Sequence, residues 1–381
     1  MGDRPRAKPD LGAREQVYPI DRAQSEPTLG PRTVEKIYLI AEEVGEVPDE
    51  AYAKLVRELA RALTSHSAVI THMTPPQDYS RNHVMRLAHR GIRRMAALVD
   101  PRLWAAVRRA RPQTVVYVSR SSATLAALVR SRLLRAISGR RVVMVALQPR
   151  TLGRVGRLFA RVLWPDLLLV STHAEVDNAR ALGARAQLMI TGVDLERFRP
   201  PAPREKDELR RKWGLPLDGK ILLHVGHLTG GRNLDALLSL ARRPGWSVVF
   251  VASSQHDVDS SALEGRLRDG GLIVLKGFFP DVGEIYRAAD CYVFPTASSD
   301  HAIALPLSVL EALASNIPVA ATRFGALAER FGGQPGLALV DDPNELALAV
   351  EQLLAAPHQT RHLAEAFSWQ AVAEHIHAAA G

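Results

Sequence analysis

From Val34 onward, short apolar runs alternate with stretches whose apolar positions recur every three or four residues. The runs predict strands over 36–41, 68–71, 114–118, 142–147, 166–170 and 187–190, and again over 220–225, 247–251, 272–275, 291–294, 318–321 and 337–340. Between the first six, helical spacing predicts helices over 49–63, 81–99, 122–136, 152–163 and 174–182. Such alternation predicts a parallel, doubly wound sheet, since parallel neighbours need a crossover and the helix supplies it. The pattern occurs twice. Between its two halves, Phe198-Arg199-Pro200-Pro201-Ala202-Pro203 and the charged helical stretch 204–213 have the composition of a linker. The expectation is an α/β chain with two Rossmann-like domains, over 34–200 and 201–360. A leader precedes them over 1–33, and a helical segment from 355 to 380 closes the chain, its last part, 361–381, counted as a separate unit. Ligands of open parallel sheets bind beyond the carboxyl ends of the strands, so two such domains facing one another would form a binding cleft.

Composition narrows the class. The chain has 381 residues, 47% of them hydrophobic, and no apolar run near the length of a membrane-spanning helix, so a soluble two-domain protein is expected. The leader is polar, rich in Pro, Arg and Asp, and lacks an apolar core, which predicts a disordered segment rather than a signal peptide. The single cysteine, Cys291, excludes an intramolecular disulfide and a Cys-based metal cluster. Its place in an apolar run marks it as a packing residue, and the composition points to the cytoplasm.

The formal charge of +9 hides an asymmetry. Residues 1–200 carry 33 Lys and Arg against 19 Asp and Glu, whereas 201–381 carry 16 against 21. From 81 to 161 there are 19 Arg and one acid, Asp100. A basic first half implies an anionic partner on that side, either a membrane surface or an acceptor, unless the arginines are simply solvated. Nucleic acid is not expected, because the basic stretches lack interleaved aromatics and match no helix-turn-helix, RRM or zinc-finger pattern. Residues 152–164 place apolar residues at helical spacing with three Arg between them. That basic amphipathic pattern fits docking on an anionic membrane face, and ordinary packing of one face fits the apolar stripe equally well.

The most specific signal runs from 290 to 325. A strand ending in Val293-Phe294-Pro295 leads through a polar loop into Leu305-Pro306-Leu307-Ser308-Val309-Leu310-Glu311-Ala312-Leu313-Ala314, and Ile317-Pro318-Val319-Ala320 and a turn at Gly325 follow. A strand, a loop and a helix start with Pro in its first turn direct backbone N–H groups at the loop, a setting that suits phosphate. After the strand 221–225 comes Gly226-His227-Leu228-Thr229-Gly230-Gly231-Arg232-Asn233, whose glycines allow close backbone approach and whose Arg232 supplies charge.

Together with Gly192-Val193-Asp194 and the later Phe198 and Pro200, these segments resemble the family 4 glycosyltransferases (glycosyl transferases group 1) of the GT-B fold. The resemblance covers roughly 34–380 and is strongest over 192–325. It implies two Rossmann-like, doubly wound parallel-sheet domains facing across a cleft, with the last helix crossing back onto the first domain. The implied activity is transfer of a sugar from a nucleotide-diphosphate sugar to a carbohydrate, lipid-linked or small-molecule acceptor. Retention of configuration, no obligatory metal and no cofactor beyond the donor are implied with it. In those enzymes the helix Glu binds ribose hydroxyls, which assigns Glu311. A basic pair from the glycine-rich loop neutralises the diphosphate, which assigns Arg232, with His227 standing where an Arg is usual. The backbone amides of Ala304, Leu305 and Leu307 are assigned to the diphosphate, and Gly226 to close approach.

The departures are also specific. The usual sugar-binding Glu eight positions before Glu311 is Ile303 here, and Asp300 and His301 are the nearby polar replacements. Gln148 stands where a His often lies near the anomeric centre, and it can donate a hydrogen bond but cannot act as a base. The loop 42–48 has one Gly and three acids, Glu42, Glu43 and Glu46, suited to an acceptor hydroxyl or to capping the next helix. Asp194 is expected to form an Asx-turn that fixes the interdomain chain. Asp257 and Asp259, the pair His358 and His362, and the pair His375 and His377 lack the setting of a metal site. A protein of this fold that binds nucleotide or partners without turnover is the alternative that Ile303 and Gln148 raise, and an epimerase of similar fold is a third.

Overall fold

The computed structural model describes residues 37–41, 51–64, 69–73, 101–120, 122–148, 150, 152–252, 260–277, 279–297 and 302–380. Among the described residues, twelve strands form two six-stranded sheets, and every pairing is parallel. The first sheet holds β1 (Ile37–Ala41), β2 (Val69–Met73), β3 (Thr114–Ser119), β4 (Arg141–Ala146), β5 (Leu167–Val170) and β6 (Ala186–Leu188), in the order β2-β1-β3-β4-β5-β6. The second holds β7 (Lys220–Gly226), β8 (Trp246–Ala252), β9 (Ile273–Lys276), β10 (Cys291–Phe294), β11 (Val319–Thr322) and β12 (Leu337–Val340), in the order β12-β11-β10-β7-β8-β9.

Both orders reverse direction beside the first strand of their sheet, which places each ligand crevice beyond the carboxyl ends of the strands. The central strands β3 and β10 are buried along their whole length, as a parallel sheet covered by helices on both faces requires. Each sheet has an apolar cluster on either side. One cluster under the first sheet joins Leu55, Val56 and Leu59 of the helix Ala51–Thr64 to Val372, Ala373 and Ile376 of the last helix, Trp369–Ala380. It also takes in Ile303 and Leu307 from the second half, so one apolar cluster spans the cleft floor.

The closing segment differs from the continuous helix expected over 355–380. It is a short helix, Arg361–Glu365, and then Trp369–Ala380. Between them the chain runs beside the interdomain stretch: Val193 N donates to Phe367 O at 2.8 Å, and Val193 bridges to Ser368 in parallel. Arg361 donates to the carbonyls of Leu195 and Phe198 at 2.9 Å each, so the two stretches that link the halves are tied together. Asp194 makes its Asx-turn there, accepting from Glu196 N and Arg197 N at 3.0 Å. The basic helix Arg154–Leu163 departs from ordinary packing of its apolar face: Val155, Leu158, Phe159 and Val162 are exposed, and Gly156 and Ala160 are its buried positions.

Cys291 is fully buried, and burial pushes its thiol up to about 12, as a packing residue should behave. Among the described residues no helix is long and apolar enough to cross a membrane. The leader, the acidic loop 42–48, the helix expected over 81–99, and Asp257 and Asp259 lie outside the described residues.

Candidate active site

A cavity of about 320 Å³ lies at the carboxyl ends of the second sheet, within the size range of small-molecule sites. The ends of β7, β8 and β10 supply Val225, Gly226, Val251, Ala252 and Phe294. The helix Leu307–Ala314 and the residues before it supply Ala302, Ile303, Pro306, Leu307, Ser308 and Glu311. The opposite wall comes from the first half, where Lys54, Arg57, Glu58 and Arg61 occupy one side of the helix Ala51–Thr64. Arg232 and Glu311, far apart in sequence, therefore border one space between the two sheets.

Glu311 is only 4% exposed, on a helix otherwise buried through Leu310, Ala312, Leu313 and Ala314. An ionised carboxylate there must be paired. The Lys54 ammonium donates to Oε1, and the Tyr286 hydroxyl donates to Oε2 at 2.8 Å. Burial, reinforced by the Glu311 charge, raises the Tyr286 hydroxyl well above its usual range, so it stays a protonated donor. Lys54 also sits 4.9 Å above the Phe198 ring, whose face attracts the cation.

Arg232 closes the short turn Gly230–Arg232 and is 7% exposed. Burial lowers its pKa, and the nearby Tyr292 acts in the opposite sense. The space for its guanidinium exists because residue 226 is glycine: a Cβ there would lie 2.5 Å from Arg232 Nη1 and 3.3 Å from His224 Nε2. His224, on β7, carries no signal in the sequence, since a lone His within an apolar strand reads as core. Its ring stacks on Phe250 with centroids 5.4 Å apart, and Nδ1 lies 2.8 Å from Val293 O. A carbonyl only accepts, so Nδ1 carries the proton and Nε2 presents its lone pair. Burial, then the Arg232 charge, lowers the imidazole to about 3, so a neutral ring buttresses the arginine.

The other expected residues divide. His227, Ile303 and Leu307 line the cavity; Ala304 and Leu305 do not. The amide of Ala304 is corrected as a phosphate donor, because it donates to Leu147 O at 3.0 Å, tying the end of β4 to the second half. Gly325, with φ +53°, brings the next turn onto the same residue: Ala326 N donates to Ala304 O at 2.8 Å, and a Cβ on Gly325 would lie 2.1 Å from that oxygen. Ile303 is packed in the apolar cluster with Leu147 and Met189, which leaves no carboxylate where a sugar-binding Glu would stand. Gln148 exchanges hydrogen bonds with Ser122 through its backbone and does not border the cavity. Asp300 and His301 lie outside the described residues.

The first-half wall carries the signal that sequence spacing could not assign. Lys54, Arg57 and Arg61 recur at helical spacing, a pattern that looks the same on a solvated face as on a cleft wall. Burial and then the Arg61 charge lower the pKa of Arg57, and Glu58 accepts from Arg61 at 2.6 Å. Arg197 reaches the cavity from the interdomain stretch and is held by Pro280 O at 2.8 Å. Among the described lining residues, Lys54, Arg57, Arg61, Arg197 and Arg232 face Glu58 and Glu311, so the cavity is cationic and suited to a polyanion such as a diphosphate. No cluster of metal-ligating side chains occurs among the described residues.

Residues 219–356 match the family described as Glycosyl transferases group 1. A D-inositol 3-phosphate glycosyltransferase 2 of Catenulispora acidiphila is 32% identical over 237 residues, covering 55% of this chain and 54% of that protein. A D-inositol 3-phosphate glycosyltransferase of Corynebacterium urealyticum is 30% identical over 239 residues, covering 55% of each. The chain thus spans about half the length of the curated relatives it matches. Among solved structures, sucrose-phosphate synthase from Thermosynechococcus elongatus aligns with a TM-score of 0.69 at 18% identity, covering 91% of this chain and 98% of that one. Anabaena HepE in complex with UDP aligns with a TM-score of 0.67 at 15% identity, covering 90% and 99%. The fold is that of the GT-B glycosyltransferases: two parallel-sheet α/β halves about a cleft.

Proposed function

We propose that this chain is a glycosyltransferase that moves a sugar from a nucleotide-diphosphate sugar to a glycan, lipid-linked or small-molecule acceptor, with retention of configuration and without an obligatory metal, in the cytoplasm. The observation that carries the reading is the shared cavity: Glu311 and Arg232 border one space at the carboxyl ends of the second sheet. The match of 219–356 to a sugar-transferring family supports it, as does the UDP held by HepE on the same fold.

In this reading Glu311 holds the ribose hydroxyls of the donor nucleotide. Arg232, buttressed by His224, stabilises the charge that grows on the leaving diphosphate, with the amides at the start of the helix Leu307–Ala314 beside it. Ala304 is not one of those donors, since Leu147 takes its N–H. Closure of the two halves would exclude water that otherwise hydrolyses the donor. Retention and metal independence rest on the resemblance of the donor segment alone. The sequence offers no obvious carboxylate nucleophile, which favours attack on the donor face assisted by the leaving phosphate.

The test is turnover. Purified protein incubated with UDP-, GDP- and ADP-sugars should hydrolyse or transfer at least one of them, and Glu311→Ala should abolish that activity while the protein stays folded. Binding of nucleotide sugars without turnover would replace the reading with a silent binding protein. Activity unchanged in Glu311→Ala would remove the assigned donor site.

A further inference from the structure

We propose that the helix Arg154–Leu163 is a docking element for an anionic lipid bilayer, seated so that the mouth of the cleft lies close to the lipid surface. Four large apolar side chains stand out of it: Val155 is 61% exposed, Leu158 76%, Phe159 49% and Val162 66%. Leu217 and Leu348 are the other two exposed large hydrophobics among the described residues, and neither lies on this element. An exposed apolar cluster concentrated on ten residues marks a surface that something covers.

The three faces of the helix are cleanly divided. At about 100° per residue, Leu158, Val162, Val155 and Phe159 share one arc, and Arg157, Arg161 and Arg154 the arc beside it. The remaining side, with Gly156 and Ala160, is buried on the domain and packs toward the helix Leu125–Ser138. The domain therefore holds the helix by its smallest residues and presents the largest. An amphipathic helix lying in the plane of a bilayer needs this arrangement, with its apolar arc at the headgroup boundary and cations flanking it at phosphate level.

Charge selects the occupant. From residue 101 to 165 the chain carries 14 Arg and no Asp or Glu. A second copy on the same face would set Arg154, Arg157 and Arg161 against the same arginines of its partner. Four side chains are also far short of the roughly 20–30 residues a side in a stable protein interface. An anionic bilayer satisfies both arcs at once, taking the apolar one into its boundary and the basic one at its phosphates.

The chain that leads into the element starts beside the cleft. Leu147, at the end of β4, accepts from Ala304 beside cavity-lining Ile303. Val155 follows Leu147 by eight residues, a span of at most about 29 Å. Docking through this stripe would thus hold the cleft within reach of an acceptor carried on a lipid. The docking itself does not depend on the proposed activity.

Co-sedimentation of the full chain with vesicles tests the proposal. Wild-type protein should partition onto phosphatidylcholine vesicles containing about 30 mol% phosphatidylglycerol roughly tenfold better than onto phosphatidylcholine alone. Raising salt from about 0.1 to 0.5 M should weaken that binding. Leu158→Ser with Phe159→Ser, and separately Arg154→Gln with Arg161→Gln, should each lower partitioning by roughly tenfold without lowering the melting temperature. Wild-type protein that ignores the anionic vesicles, or folded variants that bind as wild type does, would overturn the proposal. A dimer abolished by the Leu158 and Phe159 changes, with no vesicle binding, would assign the face to a second copy instead.

Discussion

Lys54 and Glu311, 257 positions apart, form an ion pair across the cleft, and the carboxylate's second oxygen is held by Tyr286. The pair joins the helix Ala51–Thr64 to the helix Leu307–Ala314. Glu311 is nearly inaccessible while Lys54 retains 23% side-chain exposure, so losing the lysine leaves a buried charge poorly compensated. Lys54→Met should lower the melting temperature by a few degrees. A double cycle with Glu311→Gln should show that the two effects do not add, as residues sharing one interaction require. Additive effects in differential scanning fluorimetry would mean that the pair is not formed in solution.

Tyr286→Phe removes one hydrogen bond to that carboxylate and keeps the ring stacked with Tyr292, 5.8 Å away. A hydrogen bond to a charged group contributes roughly 1.5–3 kcal/mol. The variant should be destabilised by about that much, measured by calorimetry. It should also bind nucleotide more weakly than wild type, since Glu311 loses the contact that orients it.

Gly226→Ala places a methyl 2.5 Å from the Arg232 guanidinium, and the arginine must move. The expected outcome is a folded protein with at least tenfold weaker binding of nucleoside diphosphate by isothermal titration calorimetry. Unchanged affinity would separate Arg232 from the ligand.

His224 gives a pH signature whose sign is fixed. Its pKa is lowered from 6.5 to about 3, so below pH 6.5 the unfolded chain takes up a proton that the folded protein does not. Stability from this group is present above pH 6.5 and falls as pH drops toward 3, by up to about 1.4 kcal/mol per pH unit. Between pH 7 and 5, His224→Phe should lose less stability than wild type in denaturant titrations. Parallel curves for the two proteins would contradict a neutral buried imidazole.

The twelve strands were legible because strands covered on both faces are continuous apolar runs bounded by turns, as in Val115-Val116-Tyr117-Val118. The helix Pro101–Ala110 was not, because its apolar stripe, Leu103, Val107 and Ala110, spans only ten residues among four arginines from 102 to 111. Arg232 and Glu311 could be picked out by their loop and helix, and both border the cavity. Lys54, Tyr286 and His224 could not, since nothing in spacing brings together residues joined only by the packing of two sheets. The fate of the Ala304 amide was equally hidden, because it depends on how closely the end of β4 approaches the stretch before Leu307. For the helix Arg154–Leu163, periodicity marked an apolar stripe but is silent on whether the stripe faces in or out.

The halves are linked by two stretches rather than one, and Val193, Phe367, Ser368 and Arg361 sew those stretches to each other. A single tether would let one half tumble about a point. A stitched double seam would confine any opening to a swing about one line, as a door hinge does, and would bring Lys54 back to Glu311 on closing.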